Sequence, residues 1–381
     1  MEKNLETLCV HGDTHRFPDG RDALSMPIYQ TAAFAHPDLG HSPDRFYYSR
    51  LTNPTRNLLE ETVSALEGAV DTVGFSTGMA AIAAVFELFA PGDRIVCSGD
   101  LYGGTVLLFD LVSRKNGLIL DLVDTTDPQA LAQAMEAPAK AIYIETPSNP
   151  MMNVTDIALC AEYAKKCGAL LIVDNTFLSP YFQNPLALGA DIVVHSGTKY
   201  LGGHNDTLSG FVCVADLGIA EKIRKIATAT GGILAPFDSW LMLRGIKTLA
   251  IRMERVQENA IAIANWLKNH PKVTKVHYVG LPEHPGYAVN AKQSRGSGAM
   301  LSFAVDSHET ALQVLDKVKV ITFAESLGGP ESLITLPVTQ THSDVAPEER
   351  ERLGITDSLL RMSVGLEHVN DLIADLHQAL A

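Results

Sequence analysis

Basic residues are in deficit in this 381-residue chain: 30 Lys and Arg face 44 Asp and Glu, a formal net charge of -14. An overall excess of carboxylates repels phosphate backbones and anionic membranes, which argues against polyanion binding as the function. A small molecule or a second copy of the chain is the expected partner. Cysteine is scarce too. The five cysteines, at positions 9, 97, 160, 167 and 213, are odd in number and form no C-x-x-C pair. Neither a disulfide framework nor a zinc knuckle is indicated, and reduced, mostly buried thiols are expected. No apolar run approaches the ~18 residues of a membrane span, and MEKNLETLCVHGD carries charges where a secretory leader would be apolar. The expected location is the cytoplasm. G-x-G-x-x-G, Walker A and H-E-x-x-H patterns are missing as well, which moves nicotinamide, nucleotide triphosphate and zincin chemistry down the list.

What is present suits a large globular enzyme. At 46% hydrophobic and 19% charged residues the chain can bury a sizeable core in two or three domains. The first fifty residues or so show no sustained period and are broken by Pro18, Gly20, Pro27, Pro37, Gly40 and Pro43, so they read as an extended arm. From Asn53 onward, TRNLLEETVSALEG places Leu58, Leu59, Val63 and Leu66 near helical spacing. Short apolar runs then alternate with helical stretches. TVGFS (72–76), RIVCS (94–98), LILDLVD (118–124), AIYIET (141–146), LLIVDN (170–175), DIVVHS (191–196) and GFVCVA (210–215) are the expected strands. GMAAIAAVFELFA and IALCAEYAKKCG are helices between them, the second closed by Gly168. The expected fold class is α/β: a mostly parallel sheet covered by helices, followed by a smaller α+β domain. A long, kinked helical region, WLMLRGIKTLAIRMERVQENAIAIANWLKNHP, leads into that second part, where KVTKVHYVG, GAMLSFAVD and KVKVITFAE read as strands. ETALQVLDKV and HVNDLIADLHQAL read as helices. The expected divisions are an arm at 1–52, an α/β domain at 53–245 and a C-terminal domain at 246–381.

Ligands of open α/β sheets bind at the carboxyl ends of the strands, so the residues just past each apolar run carry the functional information. After TVGFS, the segment STGMAAI opens a helix whose first N-H groups, near Gly78 and Met79, form an anion site, although Ser76 or Thr77 could simply cap it. Asp174 leaves a buried strand, a costly place for a carboxylate unless it meets a cation or several donors. Glu145 and Asn149 lie in ETPSNP at another strand end. Lys199 follows DIVVHSGT on the same rim. Alone it would be an ordinary surface lysine, but beside an anion site and a carboxylate it becomes a candidate nucleophile toward a carbonyl. A cofactor with an aldehyde, a phosphate and a pyridine nitrogen would use all three groups, and that cofactor is pyridoxal 5'-phosphate, PLP. Ser196 and Thr198 could add hydroxyls to the phosphate site, and Tyr102 in DLYGGT could stack on the ring. His195 and His204 lack the spacing and carboxylates of a metal site and read as structural.

With these residues in place, the chain resembles the trans-sulfuration enzymes of the Cys/Met metabolism PLP-dependent family over nearly its whole length. The matching segments include SMPIYQTAAF, YYSRLTNPTRNLLE, STGMAAI, LYGGT, ETPSNP, VDNTF, HSGTKYLGGHND, RGIKTLAIRM, ESLGGPESL, PVTQTH and LRMSVGLE. Gly197 departs from the alanine usual in the family. The resemblance implies the PLP-dependent transferase fold of type I and a covalent PLP aldimine on Lys199, with Asp174 paired to the pyridinium nitrogen. It implies phosphate contacts from Gly78, Met79, Ser196 and Thr198. Tyr48 and Arg50 of the Y-S-R segment would reach the neighbouring subunit's cofactor, making the active unit a dimer and the assembly typically a homotetramer. Arg361, Ser326 and Asn149 match the positions that bind the substrate α-carboxylate.

The reaction is less sharply indicated. Glu325 in FAESLGG matches a glutamate of cystathionine-handling members, and Gly104 replaces the cysteine of methionine γ-lyases. Leu107 and Tyr47, in contrast, stand where many cystathionine enzymes carry charged residues. The C-terminal half looks closest to bacterial cystathionine β- and γ-lyases, so a carbon-sulfur lyase acting on cystathionine or a related sulfur amino acid is expected. A cystathionine γ-synthase is the first alternative and methionine γ-lyase the second. A catalytically idle PLP-fold binding protein is a fourth reading, opposed by the presence of Lys199, Asp174, Tyr102 and Arg361 together.

Overall fold

The computed structural model describes residues 3–12, 23–36, 39–40, 45–343 and 345–381, apart from the side chain of Glu349. Seven strands form the larger sheet: β1 Asp71–Phe75, β2 Arg94–Ser98, β3 Ile119–Val123, β4 Ala141–Glu145, β5 Leu170–Asp174, β6 Ile192–Ser196 and β7 Gly210–Val214. Each falls on one of the seven apolar runs read from the sequence. Their order across the sheet is β1-β7-β6-β5-β4-β2-β3. All neighbours are parallel except β7, which runs antiparallel to both β1 and β6. Central strands are apolar on both faces because helices cover both: Val96, Ile142, Val173 and Val193 face one core cluster, and Ile95, Tyr143, Ile172 and Val194 face the other.

The covering helices begin and end where local chemistry directs. Asn53 accepts the N-H of Thr55 to start the helix Pro54–Glu67, with proline at its first turn. Gly168 ends Ile157–Cys167 in the left-handed conformation expected of it, φ 64° and ψ 29°. The kinked helical region is two helices, Pro236–Ile246 and Leu249–Lys268, separated at Lys247 and Thr248.

The smaller sheet holds β8 Val273–His277, β9 Met300–Val305, β10 Thr322–Phe323, β11 Leu333–Thr335 and β12 Leu359–Ser363, in the order β10-β11-β12-β9-β8. The segment KVKVITFAE contributes only its last part. The N-H groups of Lys319, Val320 and Ile321 are instead gathered by the buried carboxylate of Asp375, from the helix Val369–Leu380, at 2.8–3.0 Å. With those donors engaged, no strand ladder starts before Thr322.

The arm also differs from expectation. Leu5–His11 is helical, packing buried Cys9 into the main core near the helix Pro54–Glu67. Seven residues are too few for a free helix, so tertiary burial stabilises it and periodicity gave no warning. Beyond it, Ala33 bridges Tyr48, and Asn53 donates to the Tyr29 carbonyl, tying the arm to the first long helix. Pro18, Gly20, Pro37 and Pro43 lie outside the described residues. Cys9, Cys97, Cys160 and Cys213 are buried free thiols, and Cys167 is exposed. Among the described residues, no helix is long and apolar enough to cross a membrane.

Candidate active site

The carboxyl ends of β4, β5 and β6, the start of the helix Gly78–Phe86, and residues 325–327 and 361 from the C-terminal part enclose a cavity of about 400 Å³. Its lining includes Gly78, Met79, Tyr102, Glu145, Asn149, Asp174, Ser196, Thr198, Lys199, Glu325, Ser326 and Arg361. Eleven of the thirteen positions expected at the site therefore line one cavity. Tyr48 and Arg50 do not. The Arg50 guanidinium lies 5.5 Å from the ring centroid of half-exposed Tyr48, and its Nη1 donates to the Thr228 carbonyl.

Each group is held by the strand end that carries it. Lys199 follows β6 in a turn closed by its own N-H to the Ser196 carbonyl at 3.2 Å, and its Nζ donates to Ser326 Oγ at 2.9 Å. Burial, aided by the Arg361 charge and opposed by Glu325, lowers its pKa to about 8. Roughly a tenth of the amine is then neutral at pH 7, against well under a thousandth at an ordinary lysine value. Ser326 carries a positive φ of 83°, rare outside glycine and asparagine, and this turn aims its Oγ at Lys199 and its carbonyl at Arg361.

Asp174, at the end of β5, is buried and accepts the Thr176 N-H at 3.0 Å. Burial raises its pKa, and no ion pair within the described residues offsets that cost. Such a carboxylate fits a cationic ring nitrogen. Thr77, not Ser76, caps the neighbouring helix, accepting the Ala80 N-H at 2.9 Å, which leaves the N-H groups at Gly78 and Met79 for an anion. A side chain at Gly78 would approach Ser196 Cβ to 2.9 Å, so glycine keeps this cradle open. Thr198 is less free than expected: its Oγ donates to the Ser209 carbonyl and accepts the Ser209 N-H, and so also braces the turn.

Arg361, on β12, is fully buried. Nη1 donates to Asn149 Oδ1 at 2.9 Å and Nη2 to the Ser326 carbonyl at 3.1 Å, while Nε has no partner. Burial lowers its pKa to about 10, with Glu325 the first opposing influence. A buried guanidinium with an orphaned donor, on a residue that lines the cavity, fits a carboxylate ligand. Tyr102 lies above the cavity with its backbone N-H on Glu145 Oε2 at 2.9 Å. Any Cβ at Gly104 would meet its ring carbon Cε1 at 2.5 Å, so the glycine seen in LYGGT fixes where that ring lies. Burial and Glu325 raise the Tyr102 pKa, so it keeps its proton.

Sequence reasoning missed His342, in PVTQTH, whose Nε2 lies 3.1 Å from the Asn149 carbonyl. Thr176, Leu208 and Thr341 in the lining were missed as well. Of the residues weighed for reaction choice, Glu325 lines the cavity. Leu107 is exposed on the helix Gly103–Leu108, and the Tyr47 ring packs at 4.7 Å from His36. His195 Nε2 lies 2.8 Å from Glu67 Oε2 in the core, and His204 Nδ1 lies 2.8 Å from the Gly202 carbonyl. Gly197 has its own reason: a Cβ there would come within 2.4 Å of the Phe211 ring and Ser209 Oγ.

Comparison with known proteins settles the family. Residues 6–381 match the Cys/Met metabolism PLP-dependent enzymes. The chain belongs to that family. This PLP-dependent enzyme is 47% identical over 375 residues to a cystathionine gamma-lyase of Bacillus subtilis, covering 98% of both chains. It is 45% identical to a cystathionine beta-lyase of Lactococcus lactis, covering 99% of each. The structure of a cystathionine gamma synthase from Xanthomonas oryzae, in complex with aminoacrylate and cysteine, superposes with a TM-score of 0.96 at 41% identity, over 100% of this chain and 98% of that one. The PLP-dependent fold expected from the sequence is thus the fold observed. The three relatives are almost equally similar, so overall identity does not select among their reactions.

Proposed function

We propose that this PLP-dependent enzyme is a carbon-sulfur lyase that eliminates a thiol from cystathionine or a closely related sulfur amino acid, releasing a keto acid and ammonia. The observation that carries the reading is that Arg361, its Nε without a partner, lines the same cavity as Lys199. Such a pair takes an amino acid by its carboxylate and its Cα at once. PLP, when bound, supplies an electrophilic aldehyde and an electron sink for a carbanion at Cα. Lys199 would hold the cofactor covalently, Asp174 would pair with its ring nitrogen, and Gly78, Met79, Ser196 and Thr198 would hold its phosphate.

The chain's own groups then share the work. Arg361, with Asn149 and the Ser326 turn, fixes the α-carboxylate, which sets the Cα-H bond toward the Lys199 amine. That amine, neutral enough near pH 7 to act as a base, removes the α-proton, which suffices for a sulfur leaving from Cβ; for a sulfur leaving from Cγ a second proton must first be taken from Cβ, and Cγ then takes a proton back. Asp174 would hold a proton on the ring nitrogen. Tyr102, holding its proton, delivers it to the departing sulfur. Glu325 faces the same space from the opposite wall, with an electrostatic reach to Lys199, Tyr102 and Arg361, and its charge suits a substrate with a second ammonium group.

The α/β domain at 53–245 and the C-terminal domain at 246–381 both supply lining to this cavity, and the described residues of the arm at 1–52 supply none to it. We further propose that Tyr48 and Arg50, exposed and outside their own chain's cavity, reach a neighbouring subunit's cofactor, in a cytoplasmic homotetramer built of two such dimers. Product analysis tests the reaction. With cystathionine, cysteine plus 2-oxobutyrate identifies γ-elimination and homocysteine plus pyruvate identifies β-elimination. New cystathionine from cysteine and an O-acylhomoserine, without elimination, would replace the lyase reading by the synthase.

A pH experiment tests Lys199. Uptake of PLP by the apoprotein, followed by visible absorbance, should rise about tenfold per pH unit below the amine's pKa and level off near pH 8. Glu325→Gln removes an influence that raises this pKa, so its curve should move to lower pH, with faster uptake at pH 7. An unchanged curve would show that Glu325 does not sense Lys199, and a shift to higher pH would show an influence of the opposite sign.

A further inference from the structure

Glu145 is the buried titratable group that the mechanism above does not use. It ends β4 and is paired in register with Asp174 at the end of β5, so two carboxyl groups emerge side by side on one face of a parallel sheet. Both are buried and both line the cavity. The Glu145 Oε2 atom accepts the backbone N-H of Tyr102 at 2.9 Å, and the backbone N-H of Asn149 also favours this carboxyl. Those two residues stand on loops that leave different strands, one carrying the ring above the cofactor space and the other the amide that meets Arg361.

We propose that Glu145 is a positioning residue: its carboxyl, set beside Asp174 at the strand ends, brackets the Tyr102 and Asn149 loops and leaves Asp174 to face the cofactor ring. This rests on the assignment of Tyr102, Asn149 and Asp174 made above. Asp174 and Asp100 face Glu145 from β5 and from the end of β2, and both oppose a charge on it. Tyr143 on the same strand and Tyr102 keep their protons. Arg361 is the cation nearest in influence, and its Nη groups are committed to Asn149 and the Ser326 carbonyl. Burial and Asp174 together outweigh the two N-H contacts and hold the Glu145 carboxyl well above the usual carboxylate range. Asp100 secures the Asn149 loop from its far side, accepting from Ser148 Oγ and from Asn153 Nδ2 at 2.6 Å, so the loop is pinned at both ends and Glu145 ties it to Tyr102.

The test compares holoenzyme Glu145→Gln, which keeps the shape and an accepting oxygen without charge, with Glu145→Ala. The measurements are PLP content, the pH titration of the cofactor's visible absorbance, melting temperature, and kcat and KM on the best substrate. Glu145→Gln should keep its titration midpoint within about 0.3 pH and kcat within about threefold, because the native group is neutral. Glu145→Ala should bind PLP yet lose about 10- to 100-fold in kcat, as a displaced catalytic group does. A Gln variant as impaired as the Ala variant, or with a midpoint moved by about one pH unit, shows that a charged Glu145 is needed and overturns the proposal. A normal kcat in Glu145→Ala overturns it as well. An Asp174→Asn holoenzyme with unchanged cofactor retention and titration would instead remove the site assignment, and this inference with it.

Discussion

Lys199→Ala is expected to lower turnover by about four orders of magnitude or more, because one substitution removes both the covalent anchor and the proposed proton-transferring base. The cofactor's visible band should disappear with it, and borohydride should no longer attach PLP to the chain. The fold should survive. Lys199 makes one side-chain hydrogen bond, to Ser326 Oγ, and its replacement removes a partly charged group from a buried position. PLP content should fall without vanishing, since the helix N-terminus at Gly78, the Ser196 hydroxyl and Asp174 are untouched. A variant that still turns over cystathionine at the wild-type rate would end both the enzyme mechanism and the assignment of Lys199. A wild-type protein with no visible band and no turnover would restore the reading of an idle binding protein.

Arg361→Lys is expected to reduce kcat/KM by about 100- to 10,000-fold, mostly through KM, from the loss of two charge-assisted hydrogen bonds worth about 1.5–3 kcal/mol each. Lysine keeps the charge and loses the planar fork, so it cannot serve Asn149, the Ser326 carbonyl and a substrate carboxylate at once. PLP content and the absorbance of the resting holoenzyme should be unchanged. Removing the guanidinium field also raises the Lys199 pKa if the new ammonium lies farther away, because Arg361 lowers it in the native protein. Measured kcat and KM on cystathionine and on a decarboxylated analogue separate the two effects. The analogue should react equally poorly with wild type and variant.

Much of this site was legible in the sequence because strand ends are legible. Seven runs of apolar residues predict seven strands of a mostly parallel sheet, and all seven form, with β7 antiparallel to its neighbours and the edge strand β3 half-exposed. The topology of such sheets then gathers whatever follows those runs, which brought Gly78, Tyr102, Asn149, Asp174 and Lys199 together before any coordinates were needed. The smaller sheet was harder. LLRMS places a charged residue inside a five-residue strand, and it forms because the Arg361 side chain leaves toward the cavity and finds Asn149. Leu333–Thr335 is only three residues long, below what a period can show.

The sequence by itself determined the cofactor chemistry, the large sheet and the identity of the groups around it, since these depend on local pattern and on residue types in fixed order. Only the tertiary structure decided which of those groups are charged and which are neutral. Lys199 and Arg361 have lowered pKa values, and Tyr102 and Glu145 raised ones, because folding takes them from water and sets them beside one another. It also decided the positive φ of Ser326, the free Nε of Arg361 and the pairing of Glu145 with Asp174. Each depends on elements distant in the chain meeting at a few ångströms, a separation that no spacing in the sequence encodes.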